Sequence, residues 1–215
     1  MSKQFKSIAH RGFQEKDNSY ISINKAFNKG FDMIELDIQL CKDDIIFYHD
    51  LFINNISIET LTYKEILDID RQVMNLDFFF KNFSYQIVDI YFDLKGNIDL
   101  SNKFLNYIRS NNINTSNFYI ASFNMNHLDL LKKNKHQHSY KIGFITCNTF
   151  KDDILNLIID GLDFISIDIG YLNKNSITFL KKKNLEIFTY TLKDLAQYAE
   201  ICNFDIDGIV TDILF

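Results

Sequence analysis

The sequence predicts an α/β protein, a single-domain (β/α)8 TIM barrel over residues 1–215, and three observations carry that expectation. Short runs rich in Ile, Phe, Val and Tyr alternate with amphipathic segments of i, i+3/i+4 spacing. Eight such runs share 215 residues, close to the ~30 residues that one parallel strand–helix unit takes. The polar residues gather at the late ends of these runs, where barrels of this class build their sites. Hydrophobic residues make up 47% and charged residues 24% of the chain, which excludes disorder and collagen-like repeats. Neither a Gly-x-Gly-x-x-Gly nor a Walker motif is present, which argues against an open nucleotide-binding sheet.

Strands are expected near Phe5–His10, Met33–Leu40, Ile87–Leu94, Phe118–Ser122, Tyr140–Thr146, Phe164–Ile169, Glu186–Thr191 and Gly208–Asp212. They are continuous apolar runs, as strands buried on both faces should be. Helices are expected near Ser19–Lys29, Leu100–Ser110, Asn126–Asn134, Asp152–Asp160, Lys174–Lys183 and Lys193–Cys202. With no proline in the chain, boundaries rest on Gly, Asn, Asp and Ser. The stretch after the second strand, residues 51–84, breaks the rhythm. Two readings stay open for it: a reduced, cap-like loop with a short helix over the barrel mouth, or Leu61–Leu67 and Leu76–Phe83 as the second barrel helix.

A net charge of -5 speaks against a broad basic nucleic-acid surface. Cys41, Cys147 and Cys202 lack metal-ligand or redox spacing, so reduced thiols in a cytoplasmic setting are expected. The polar start, Met1 to Phe5, does not read as a signal peptide, and no run approaches the ~18 apolar residues of a membrane span.

The chemistry begins where the first strand ends, at His10-Arg11-Gly12. Arg offers a fork of donors shaped for phosphate, and Gly lets the backbone turn sharply. In Met33–Ile38, Glu35 and Asp37 are two residues apart and project to one face of the strand, while Ile34, Leu36 and Ile38 face the helices. Two carboxylates side by side inside a barrel need a positive charge between them, and a divalent cation supplies it. Asp93 and Lys95 repeat the spacing on the third strand. They add a third oxygen ligand and a cation for a phosphate oxygen. Three carboxylates without Cys or clustered His favour a hard ion, Mg2+ or Ca2+, over zinc. His49, past the acidic strand, pairs with His10 as an acid–base couple for work near neutral pH. His127, His136 and His138 read as solvated, and Lys132–Lys135 and Lys181–Lys183 as exposed helix faces.

Taken in order, these motifs resemble the glycerophosphodiester phosphodiesterase family. The resemblance rests on His10-Arg11-Gly12, Asp17-Asn18-Ser19, Glu35-Leu36-Asp37, His49-Asp50 and Asp93-Leu94-Lys95. It continues through Ser122-Phe123 and Thr189-Tyr190-Thr191 to Asp207–Asp212. It implies a barrel hydrolase, of use in lipid and glycerol metabolism, that splits glycerophosphodiesters into glycerol 3-phosphate and an alcohol such as choline or ethanolamine. By motif position Glu35, Asp37 and Asp93 hold the divalent ion, His10 and His49 are the catalytic pair, and Arg11 and Lys95 contact the phosphate. The chain departs from the family at Lys16–Ser19, where Pro-Glu-Asn-Thr is usual. It also departs at Asp93, where the family has Glu, and in a short segment after His49. Attack by the glycerol 2-hydroxyl and direct attack by water both remain open. A small cap implies weak selection on the alcohol, although the run Phe78–Phe80 would offer an aromatic wall to choline. The competing readings are a sphingomyelinase D-like or lysophospholipase D-like phosphodiesterase, and a non-catalytic barrel that binds a phosphorylated ligand. The oligomeric state is left open.

Overall fold

The computed structural model describes residues 5–137 and 139–215. The first half of the chain runs β1 (Lys6–Ala9), α1 (Tyr20–Lys29), β2 (Met33–Leu40), β3 (Ile45–Phe47), β4 (Phe52–Ile53), β5 (Ile56–Ser57), α2 (Tyr63–Ile69), α3 (Leu76–Asn82), β6 (Asp89–Leu94) and α4 (Asp99–Ser110). The second half runs β7 (Phe118–Ser122), α5 (Met125–Asn134), β8 (Lys141–Thr146), α6 (Asp152–Ile159), β9 (Phe164–Asp168), α7 (Lys174–Lys182), β10 (Glu186–Leu192), α8 (Leu195–Ile201) and β11 (Gly208–Thr211). Eight of the strands are parallel, in the order β1, β2, β6, β7, β8, β9, β10, β11, and β11 pairs back onto β1 to close the barrel. This is the (β/α)8 barrel that the sequence predicts.

The barrel interior fills in layers. At the floor, Lys6 and Lys141 bond the Tyr119 hydroxyl at 2.8 and 2.7 Å and pair with Glu186. Above them Ile8, Met33, Tyr91, Phe164 and Phe188 form a buried middle layer. Rings fit there because two facing positions are glycine: a Cβ on Gly143 would lie 2.3 Å from Phe164, and one on Gly208 2.9 Å from Phe188. The bottom and middle of the barrel are therefore filled, and its interior opens at the carboxyl ends of the strands.

The irregular stretch resolves into two parts. β3 folds back antiparallel on β2, an element the pattern does not reveal because Ile45–Phe47 is too short to show a period. Phe79 of α3 is buried against Phe47 and Phe92, so α3 covers the sheet as the second barrel helix. α2 packs instead on a satellite core of Cys41, Ile46, Ile53, Ile58 and Val73. The expectation of an aromatic wall at Phe78–Phe80 is corrected: Phe80 stacks on Phe118 and Tyr107, Phe78 meets Tyr20, Phe79 packs on Phe47 and Phe92, and α3 lies outside the barrel, so none of the three lines the cavity.

Two further expectations change. His127 is fully buried, its Nδ1 2.7 Å from Ser101 Oγ, because the first turn of α5 faces α4. Lys135 and Lys181 are not simply solvated: each clamps a carboxylate, Asp163 and Asp207, that also accepts a strand N–H, from Ile142 and Ile187. His136 is exposed, and His138 lies outside the described residues. All three cysteines are free. Among the described residues no helix is long and apolar enough to cross a membrane.

Candidate active site

A cavity of about 890 Å³ opens at the carboxyl ends of the strands, and His10, Arg11, Glu35, Asp37, His49, Asp93 and Lys95 all line it. The parallel register of β2 and β6 sets Asp37 beside Asp93 and Glu35 beside Tyr91, so the three carboxylates share one wall. One oxygen from each of Glu35, Asp37 and Asp93 lies within 4.8 Å of the others, and all three residues are buried.

The turn after β1 organises this wall. Arg11 and Gly12 take left-handed backbone conformations, φ 52° and 83°. The turn aims the Arg11 N–H at Glu35 Oε2, 2.9 Å away. Its guanidinium donates from Nη1 to Asp17 at 2.9 Å, while Nε sits 3.1 Å from Asp37 Oδ2, close enough for charge attraction but not aligned for a hydrogen bond. Ser19 caps α1 through a capping box with Ser22. The residue before that cap, Asn18, is also left-handed, and it donates to Asp37 Oδ2 at 2.9 Å while its own Oδ1 accepts the Asp37 N–H at 3.0 Å. Lys95 Nζ lies 2.5 Å from Asp93 Oδ2 and 3.2 Å from Asp37 Oδ1.

These contacts divide the three acids. Burial pushes the Glu35 carboxyl well up, and the charges of Asp37 and Asp93 add to it. Asp37 is held below the ordinary value: burial works against this, but Lys95, Arg11, His49 and the Asn18 amide outweigh it. Asp93 is pushed up to about 7, by burial above all and then by Asp37, with Lys95 opposing. Burial lowers Lys95, but Asp93 and Asp37 raise it more, to about 12, so it stays a cation. The three carboxyl groups outnumber the two nearby cations, and Glu35 and Asp93 are raised where Asp37, beside both cations, is not.

A divalent ion fits this donor set. Asp93 Oδ1 is buried with no hydrogen-bond partner, an unsatisfied acceptor of the kind a cation relieves. Oxygens 4.8 Å apart or closer can share one ion at the ~2.0–2.6 Å distances of Mg2+ and Ca2+.

Both histidines carry a carboxylate on the same nitrogen. His10 Nδ1 lies 2.7 Å from Asp212 Oδ1, and His49 Nδ1 2.7 Å from Asp50 Oδ1. That arrangement keeps the proton on Nδ1 and leaves Nε2 as the working atom of each ring. Asp212 stays ionised: burial raises its pKa, but the hydrogen bond and charge of His10 lower it further. Asn18, Asp50 and Asp212 had no assigned task in the sequence reading. For Asn18 and Asp50 a local signal exists, an Asn beside a Ser N-cap and an Asp next to His49. Asp212 closes the last motif of the chain, but nothing local ties it to His10, 202 residues away.

The fold and this wall define a class: a (β/α)8 barrel with an acidic, cation-compensated site suited to a phosphate ester at its catalytic face. The comparisons narrow it. Residues 10–70, which carry five of the seven expected site residues, match the model of the Glycerophosphoryl diester phosphodiesterase family, so the resemblance borne by the motifs holds. A solved glycerophosphodiester phosphodiesterase from Thermotoga maritima superposes with a TM-score of 0.82 at 22% identity, over 98% of this chain and 95% of its own. One from Parabacteroides distasonis gives 0.82 at 20%, over 97% and 92%. An Oleispira antarctica phosphodiesterase in complex with the product sn-glycerol-3-phosphate gives 0.82 at 16%, over 96% and 92%. At these identities the likeness establishes the shared barrel. A comparison with curated proteins returns no match.

Proposed function

We propose that this protein is a metal-dependent phosphodiesterase that hydrolyses glycerophosphodiesters to glycerol 3-phosphate and an alcohol. The observation that carries the reading is the convergence, in one cavity, of three buried carboxylates, two cations and two carboxylate-oriented imidazoles. Glu35, Asp37 and Asp93 would hold the ion, Mg2+ or Ca2+. When bound, it supplies positive charge to the non-bridging phosphate oxygens, which gain negative charge as phosphorus becomes five-coordinate.

The chain's own residues do the rest. Arg11 and Lys95 bring fixed positive charge to the same oxygens from the cavity floor, where water is partly excluded and charge counts for more. One of His10 and His49 accepts the proton of the attacking hydroxyl at Nε2 while its Nδ1–H stays on its carboxylate. The other, protonated, donates from Nε2 to the leaving alkoxide. Each such transfer contributes about 10²–10⁴-fold. The three free cysteines suit a reducing compartment, and we place the protein in the cytoplasm.

The test is an activity screen with glycerophosphocholine, glycerophosphoethanolamine and lysophospholipids, before and after chelation. Hydrolysis of the glycerophosphodiesters that EDTA abolishes and Mg2+ or Ca2+ restores is the expected outcome. Full activity after exhaustive chelation would remove the metal, and no turnover with any diester in the presence of either ion would remove the reaction.

A further inference from the structure

Lys95 Nζ bridges Asp93 and Asp37, and in the proposed reaction it also brings charge to a phosphate oxygen. A lysine stem is flexible along its four carbons, so its head is only as well placed as the backbone that carries it. That backbone is held on both sides. The Ser122 hydroxyl donates to the Leu94 carbonyl at 2.7 Å, and the Lys95 N–H donates to the Ile38 carbonyl at 2.9 Å. The next residue, Gly96, is left-handed at φ 66°. Beside it lies His127, a buried imidazole to which the proposed chemistry gives no task. His127 Nδ1 is 2.7 Å from Oγ of Ser101, in the first turn of α4, and both residues are fully buried. Among the described residues His127 Nε2 has no hydrogen-bond partner, and an unpaired nitrogen is costly to bury. Burial lowers the pKa of the ring and the Gly96 carbonyl opposes it, so an acceptor faces the imidazole. With Nδ1 on Ser101, Nε2 is the nitrogen left for that carbonyl.

Resting on the phosphodiesterase reading, we propose that His127 is a positioning residue for Lys95: its ring ties the turn at Gly96 to Ser101 and so fixes where Lys95 presents its charge. One tautomer serves both neighbours, with the Ser101 hydroxyl donating to Nδ1 and the ring proton on Nε2 left for Gly96. His127 also stands on the loop that supports Lys95 from the other side. Its N–H donates to the Asn124 carbonyl at 3.1 Å, and the Asn124 N–H donates to Ser122 Oγ at 3.1 Å. Between them Phe123 sets its ring centroid 5.3 Å from Lys95 Nζ. His127 itself does not line the cavity. Charge fixed in place before the reaction stabilises a transition state without reorganisation, so a loosened turn should show in kcat rather than in KM. A histidine buried for packing alone would instead cost stability and leave turnover as it was.

His127→Phe keeps a ring in the space and removes both polar links. It should lower kcat for glycerophosphocholine at least about tenfold, with KM within about threefold. His127→Gln, which retains an amide N–H for Gly96, should recover most of that loss. Leu131→Ala, at a buried position one turn further along α5, is the control for stability: it should lower Tm at least as much and leave kcat within about twofold. In a Lys95→Ala background there is no charge to place, and adding His127→Phe should cost less than about twofold, since residues that act through one another are not additive. Amide exchange read by NMR needs no substrate. In His127→Phe the Lys95 N–H should exchange at least about tenfold faster, while the Ile90 N–H at the other end of β6 keeps its rate. Suppose diesters are hydrolysed but His127→Phe keeps kcat, His127→Gln is no better than it, Leu131→Ala loses as much, or the loss persists without Lys95. Any of these overturns the positioning role and leaves the reaction standing. If no diester is turned over, the reaction reading falls and exchange alone decides the positioning: a faster Lys95 amide upholds it, and an unchanged one overturns it.

Discussion

Gly12→Ala tests how the first turn builds the site. Gly12 sits at φ +83°, a conformation that costs a residue with a Cβ about 1–2 kcal/mol. The new Cβ would also lie 2.4 Å from Ser22 Oγ and 2.6 Å from the Ser22 backbone carbon. The hydroxyl can rotate away; the backbone of α1 cannot, and forced overpacking of this kind costs about 1–3 kcal/mol. The total is about 2–5 kcal/mol, which at ~2–4 °C per kcal/mol for a chain of this size is a drop in Tm of roughly 4–20 °C. Gly30→Ala is the control, because Gly30 has a similar φ of +73° but nothing within 4 Å of its Cβ. It should pay only the backbone cost, ~1–2 kcal/mol. Function should suffer beyond stability: Ser22 Oγ donates to the Arg11 carbonyl at 3.1 Å, and the Arg11 N–H holds Glu35. A shift of α1 is therefore passed to a carboxylate of the site. Calorimetric melts of the two variants decide it. If Gly12→Ala melts within 2 °C of Gly30→Ala, the close approach to Ser22 is not what holds the turn.

Other outcomes follow from the same geometry. His10→Ala and His49→Ala should each lower turnover by at least about a hundredfold with small changes in Tm; a large loss from one variant and none from the other would break the paired model. Burial lowers the pKa of His127, and the unfolded imidazole titrates near about 6.5. As pH falls below that value the unfolded chain takes up a proton that the folded chain refuses, so His127 withdraws stability on the acid side and none at pH 8. Melts from pH 8 to 5 should show a decline that His127→Gln flattens; an unchanged decline in the variant would refute the assignment.

Much of this site could be read in one dimension because its signals are local. Glu35 with Asp37 and Asp93 with Lys95 are fixed by the two-residue period of a strand, which needs no knowledge of the fold. Ser19 is legible as a helix cap for the same reason. Left-handed turns are harder to place here: with seven glycines and no proline, Asn fills Asn18, Asn54, Asn55, Asn112 and Asn184, and an abundant residue marks turns poorly. The error over His127 has a plain cause. A polar residue in the first turn of a helix reads as solvated, and only the packing of α5 on α4 supplies Ser101 as its partner.

The sequence by itself determined the barrel, through the count and rhythm of apolar runs, and most of the acid and base inventory of the site. Periodicity and spacing are local properties, set by the backbone before any long-range contact forms. Only the tertiary structure decided which helix covers β2 and β6, that Phe78–Phe80 face away from the cavity, and that Asp212 orients His10. It alone brings Asp168 and Tyr190, side by side on β9 and β10, into the same cavity as the acids. Those relations join residues tens to hundreds of positions apart, and closure of the barrel from β11 to β1 is the physical event that brings them together.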